Sequence, residues 1–94
     1  MVLERVEINV KDGMLAALLA ALRDTGLPLL LGIDGCLAAR AGGGVENPAK
    51  VILLVDWTSV AAHEAFKAMP EYTTLVAGIF PYADGAVAEH FNMA

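Results

Sequence analysis

Polar and apolar residues alternate from Val2 to Val10, with Val6, Ile8 and Val10 on one face and Arg5, Glu7 and Asn9 on the other. Period two predicts a strand. Glu4 falls on the Val6 face, where a carboxylate is out of place. It is either a base whose pKa is raised by burial or a partner for Arg5 or Arg40 of a neighbouring strand. Asp12 offers an N-cap to a helix whose stripe is Leu15, Leu18, Leu19 and Leu22, and Gly26 offers its C-terminal stop. Leu27–Leu31, interrupted by Pro28, reads as a packed connection with at most a short helical turn. A second strand is expected from Cys36 to Ala41, and a flexible turn over Gly42–Pro48.

Lys50–Trp57 predicts a third strand that is apolar on both faces: Val51, Leu53, Val55 and Trp57 on one, Ile52 and Leu54 on the other. Such a strand needs cover on both sides. Thr58 or Ser59 caps a helix running to about Met69, with Val60, His63, Phe66 and Lys67 on helical spacing. Pro70 opens a further helix with the stripe Tyr72, Leu75, Val76 and Ile79, ended by Pro81. Ala83-Asp84-Gly85 reads as a turn, and Ala86–Asn92 as the last strand. The order is β-α-β-β-α-β, the ferredoxin-like α+β arrangement of a four-stranded antiparallel sheet with two helices on one face.

Ninety-four residues allow one domain, 1–94. The apolar fraction of 57% and mean hydropathy of +0.60 are high for a soluble monomer. Seventeen alanines explain part of that; the remainder points to surface buried against a second copy. Six basic residues are scattered singly among eleven acidic ones. A phosphate-tracking surface needs clustered cations, so no nucleic-acid partner is expected. No apolar run is long enough to cross a membrane, the start lacks a signal-peptide pattern, and the single Cys36 cannot form an internal disulfide. A cytoplasmic setting is expected.

Asp34-Gly35-Cys36-Leu37, Val51–Trp57, Ser59, Ala62-His63, Phe66, Pro70-Glu71-Tyr72 and Glu89-His90-Phe91 together resemble the antibiotic biosynthesis monooxygenase domain of the dimeric α/β-barrel superfamily. The anchor is a tryptophan ending the third strand, followed by Ser/Thr-x-x-Ala-His. The resemblance implies a homodimer whose sheets pack into a barrel with the helices outside. It also implies oxygenation of a small aromatic or quinol-type compound, without metal or flavin, in a pocket between sheet and helices. There a base removes a phenolic proton and the substrate carbanion reduces dioxygen. The chain departs from the family pattern at named positions. Leu53 stands where polyketide oxygenases carry a substrate-binding asparagine, and His63 stands where they carry a tyrosine. Val6 and the neighbourhood of Val76 lack the asparagine and histidine of the haem-degrading branch.

His63 is the expected base, since an imidazole titrates near neutrality; the plainer alternative is a helix histidine packed on the sheet. Trp57, Phe66 and Tyr72 are expected as pocket wall, or equally as core. His90 is a secondary polar group facing either pocket or partner, and Leu53 should line the cavity. Two histidines without further ligands at recognisable spacing make no metal site, and no cofactor is expected. Cys36 reads as a buried hydrophobe, and Tyr82 as loop surface or interface. Gly42-Gly43-Gly44 lacks the ending of a phosphate loop. The alternative to an oxygenase is a non-catalytic dimeric module that binds a small ligand or a protein partner, consistent with the apolar Leu53. A third reading is an isomerase or lyase using His63 or Glu4 for proton transfer.

Overall fold

Alternation along the first strand survives in three dimensions: Val2, Glu4, Ile8 and Val10 are buried on one face. The computed structural model describes residues 1–94. Strand β1 (Val2–Val10) leads to helix α1 (Leu15–Ala21), a π-helical turn (Leu22–Gly26) and helix α2 (Leu27–Leu31). Strands β2 (Cys36–Gly43) and β3 (Lys50–Trp57) follow. Helices α3 (Val60–Lys67) and α4 (Pro70–Ile79), a 3-10 turn (Phe80–Tyr82) and strand β4 (Ala83–Asn92) complete the chain. The sheet order is β2-β3-β1-β4 with every neighbouring pair antiparallel. This is the ferredoxin-like α+β fold read from the sequence.

The core joins Ile8, Val51, Val55 and Trp57 of the sheet to Leu18, Leu22 and Leu30 of the first helical segment, Phe66 of α3 and Leu75 of α4. Each such side chain contributes about 1.5–3 kcal/mol on burial. The opposite sheet face carries no helix. Leu3, Ile52 and Leu54 are half-buried there, and Val87 and Phe91 are exposed. Ion pairs cross it: Lys50 Nζ lies 3.2 Å from Glu7 Oε1, and Arg5 Nη1 lies 3.7 Å from Glu89 Oε1.

Three local expectations change. Gly26 does not stop α1; its backbone is right-handed helical and the chain winds on into α2. Its smallness serves packing, since a Cβ there would lie 3.1 Å from Leu22 Cδ2 and 3.3 Å from Leu75 Cδ1. Pro28 is tolerated because it sits in the first turn of α2. Asp12 caps nothing: the N-cap is Met14, without a side-chain bond. Ala83-Asp84-Gly85 opens β4 rather than forming a turn, with a register shift opposite Asn9 and Val10. Ser59 does cap α3, accepting the Ala62 N–H at 3.1 Å. Gly35 precedes β2 at φ +87°, where a Cβ would come within 2.7 Å of Ala62 Cβ.

Candidate functional site

The Ser59 cap fixes the start of α3, and helical spacing then turns both His63 and Phe66 toward the sheet, where both are buried. Beneath them β1 places Glu4 opposite Val55 of β3 on one side and His90 of β4 on the other. Strand β3 ends there in Trp57, which is fully buried.

These residues form one connected cluster. The Trp57 indole N–H donates to Glu4 Oε1 at 2.9 Å. His63 Nε2 lies 3.4 Å from Glu4 Oε2, and His63 Nδ1 lies 2.7 Å from His90 Nε2. The His63 ring stacks on Trp57 at a centroid separation of 5.1 Å. Glu4 is 8% exposed and His63 6%, whereas His90 is open to solvent. Burial pushes the His63 imidazole below its ordinary value; Glu4 opposes the shift and His90 adds to it. No buried side-chain polar atom lacks a partner.

Beside this cluster, on the same sheet face, α4 leaves a cleft of about 530 Å³. Val6, Ile8 and Leu53 form its floor, and Tyr72, Val76 and Ile79 its helical wall, with Lys11 and Asp84 as its charged residues. An aromatic series connects cleft and cluster. Tyr72 meets Phe66 edge-on at 5.6 Å, Phe66 lies 5.6 Å from Trp57, and Trp57 stacks on His63. Glu4 stands two residues before Val6 on the same face, a step of about 7 Å along a strand.

Leu53 and Tyr72 line the cleft. Trp57 and Phe66 stand behind it as fully buried core. His63 and His90 meet each other at the end of the aromatic series. Glu4 pairs with neither Arg5 nor Arg40. Arg5 is its immediate strand neighbour and so points to the opposite face, toward Glu7 and Glu89. Arg40 lies opposite Leu54, which is also on that far face. The partners of Glu4 are Trp57 and His63, some fifty to sixty residues away. The trace this leaves in the sequence is a carboxylate on an apolar strand face. Cys36 is half-buried, its Sγ 3.7 Å from the Ala38 carbonyl oxygen, and burial pushes its thiol pKa up. Tyr82 packs half-buried against the core. No three His, Cys, Asp or Glu side chains gather in a metal-holding group, and no helix is long and apolar enough to cross a membrane.

The family model described as antibiotic biosynthesis monooxygenase matches residues 1–78. Several solved structures share the fold, each carrying that description provisionally. A protein from Bordetella bronchiseptica superposes with a TM-score of 0.90 at 22% identity, covering 99% of this chain and 96% of its own. One from Nitrosomonas europaea gives 0.84 at 15% identity, covering 99% and 98%. One from Deinococcus radiodurans gives 0.84 at 16% identity, covering 100% and 93%. At these identities the likeness speaks to the fold. No curated protein matches the chain.

Proposed function

The chain belongs to the antibiotic biosynthesis monooxygenase family, and from that membership we propose that it oxygenates a small aromatic or quinol-type compound, with dioxygen as oxidant and no cofactor. The observation that carries this reading is an apolar cleft of about 530 Å³ linked through Tyr72, Phe66 and Trp57 to a pair of hydrogen-bonded histidines. The apolar floor at Val6, Ile8 and Leu53 accepts a flat hydrocarbon ring, and Tyr72 provides a face and a phenol against it. The histidine pair takes the phenolic or enolic proton. The electron-rich anion left behind then reduces dioxygen. For an anthrone-like methylene the balance closes: CH2 plus O2 gives C=O plus H2O, with all four electrons coming from the substrate carbon. Burying the anion among apolar side chains keeps water from competing for it.

A homodimer fits this reading. Leu3, Ile52, Leu54, Val87 and Phe91 give the helix-free sheet face apolar content, and a second copy would cover it. Persistence of twice the 9.8 kDa chain mass in light scattering at nanomolar concentration is expected, and a stable monomer would count against the barrel.

The direct test is an oxygen electrode with an anthrone or a naphthohydroquinone. Saturable, protein-dependent uptake supports the oxygenase. The apolar Leu53 in the floor favours a second reading, a module that binds such rings without transforming them. Quenching of Trp57 fluorescence by 1-naphthol, with no oxygen uptake above the autoxidation rate, would select that reading. Substrate-dependent proton exchange without oxygen uptake would instead point to an isomerase.

A further inference from the structure

Both nitrogens of His63 face protein groups: Nδ1 is hydrogen-bonded to His90, and Nε2 lies 3.4 Å from Glu4 Oε2. It is also among the least exposed polar residues of the molecule, so it has no free nitrogen to offer a ligand. His90 uses Nε2 on His63, and no protein group bonds its Nδ1. Its ring lies on the solvent-open strand β4, on the helix-side face two residues beyond Ala88, which pairs with Val6 of the cleft floor.

From these placements we infer that Glu4, His63 and His90 form a proton relay, with His90 Nδ1 as the accepting atom, His63 carrying the proton inward and Glu4 holding the resulting charge. The inference rests on the oxygenase reading for its substrate, but its geometry stands without one. A carboxylate can only accept hydrogen bonds. Glu4 takes the Trp57 N–H on Oε1, and with its Oε2 3.4 Å from His63 Nε2 the carboxylate charge favours the tautomer that carries the proton on Nε2. Neutral His63 then has a bare Nδ1, and the 2.7 Å contact requires His90 to donate its Nε2–H. That leaves the outward His90 Nδ1 as a free lone pair.

The step balances. The substrate O–H bond breaks, its proton goes to His90 Nδ1, and its electron pair stays on oxygen. The His90 Nε2 proton passes to His63 Nδ1. His63 becomes an imidazolium against the Glu4 carboxylate, while His90 ends neutral with its proton on Nδ1. His90 is thus the catalytic base, and His63 and Glu4 are positioning residues that move the charge away from the reacting anion. The charged groups around His63 are Glu4 from β1, His90 from β4, and Glu64 and Lys67 from α3 itself; β3 contributes the uncharged Trp57. Burial holds resting His63 neutral but also weakens it as an acceptor, and the Glu4 carboxylate opposes that loss.

The test is imidazole 15N NMR on the ligand-free protein across pH 5–9. Both histidines are expected as Nε2–H tautomers at high pH. His63 observed as the Nδ1–H tautomer would overturn the relay, because His90 would then carry its proton on the outward atom. Glu4→Gln should lower the pH at which the histidine pair takes up its proton by one unit or more; an unchanged titration refutes the role of Glu4. Should that buried substitution unfold the chain, exposed His90 remains testable. His90→Ala should cut oxygen uptake at least a hundredfold and recover with added imidazole, whereas an unaffected rate would overturn the assignment of His90. The tautomers and titrations need no turnover, so they decide the relay even if no substrate is ever oxygenated. Oxygen uptake by the unaltered protein decides the oxygenase reading separately.

Discussion

The helix-facing side of the sheet has two ends built on opposite plans. Under α3, Trp57, Phe66 and His63 are buried against one another and every buried side-chain polar atom is partnered. Under α4, Val6, Ile8 and Leu53 face a cleft. Side-chain volume explains the difference. Around the filled end β3 and β4 supply Trp57 and His90, while along the cleft β4 supplies Ala83 and Ala86. Small residues on one strand leave the room that large ones on the helices cannot close. Stability is concentrated at the aromatic end, and capacity for a ligand at the alanine end.

That division can be broken by mutation. Trp57→Ala empties a fully buried site and strips Glu4 of its indole partner, so a urea melt should show a loss of about 3–5 kcal/mol. Leu53→Ala, beside space that is already open, should cost nearer about 2 kcal/mol, the low end for such a change. Equal losses would mean that the two ends are energetically alike.

Filling the cleft sharpens the contrast from the other side. Ala86 is an exposed lining residue, so Ala86→Leu should weaken 1-naphthol binding at least tenfold, about 1.4 kcal/mol. The melting midpoint should hold, because little native packing is disturbed. Unchanged binding by calorimetry would place the ligand elsewhere.

A smaller effect belongs to pH. The His63 pKa is lowered by folding, so between that lowered value and the free-imidazole value near 6.5 the unfolded chain binds more protons. Stability is therefore complete above about pH 6.5 and falls as acid is added, with a slope of at most about 1.4 kcal/mol per pH unit. His63→Gln should flatten that slope in urea melts taken from pH 7.5 to 5. A slope that survives the substitution would move the titration to another group.

How much of this was legible in the sequence follows from the range over which each feature is determined. Strand β1 shows through alternation and β3 through a continuous apolar run, because a one-sided or two-sided strand writes its burial directly into residue order. The Ser59 cap was local and legible for the same reason. The first helical segment departs from its sequence reading at Asp12 and Gly26 because the signals there are ambiguous. A glycine that ends a helix and a glycine that lets Leu75 approach look identical in one dimension. The opening of β4 reads as a turn in one dimension because Asp-Gly marks both turns and irregular strand ends. His63 and His90 were both visible as residues, but their 2.7 Å contact spans α3 and β4. The Glu4 bond to Trp57 joins adjacent strands β1 and β3 across 53 residues of sequence. Such contacts are written by topology, and their only local trace was a charge on the wrong face of a strand.

Gly35 carries a consequence for how this chain can evolve. Any side chain there meets both a left-handed backbone and Ala62 at 2.7 Å, so the entry to β2 and the first turn of α3 are locked together at a single atom-sized tolerance. The helix that bears His63 is thereby inherited as a fixed unit with the sheet edge. Exposed cleft residues such as Ala86 touch neither constraint and can change without disturbing it.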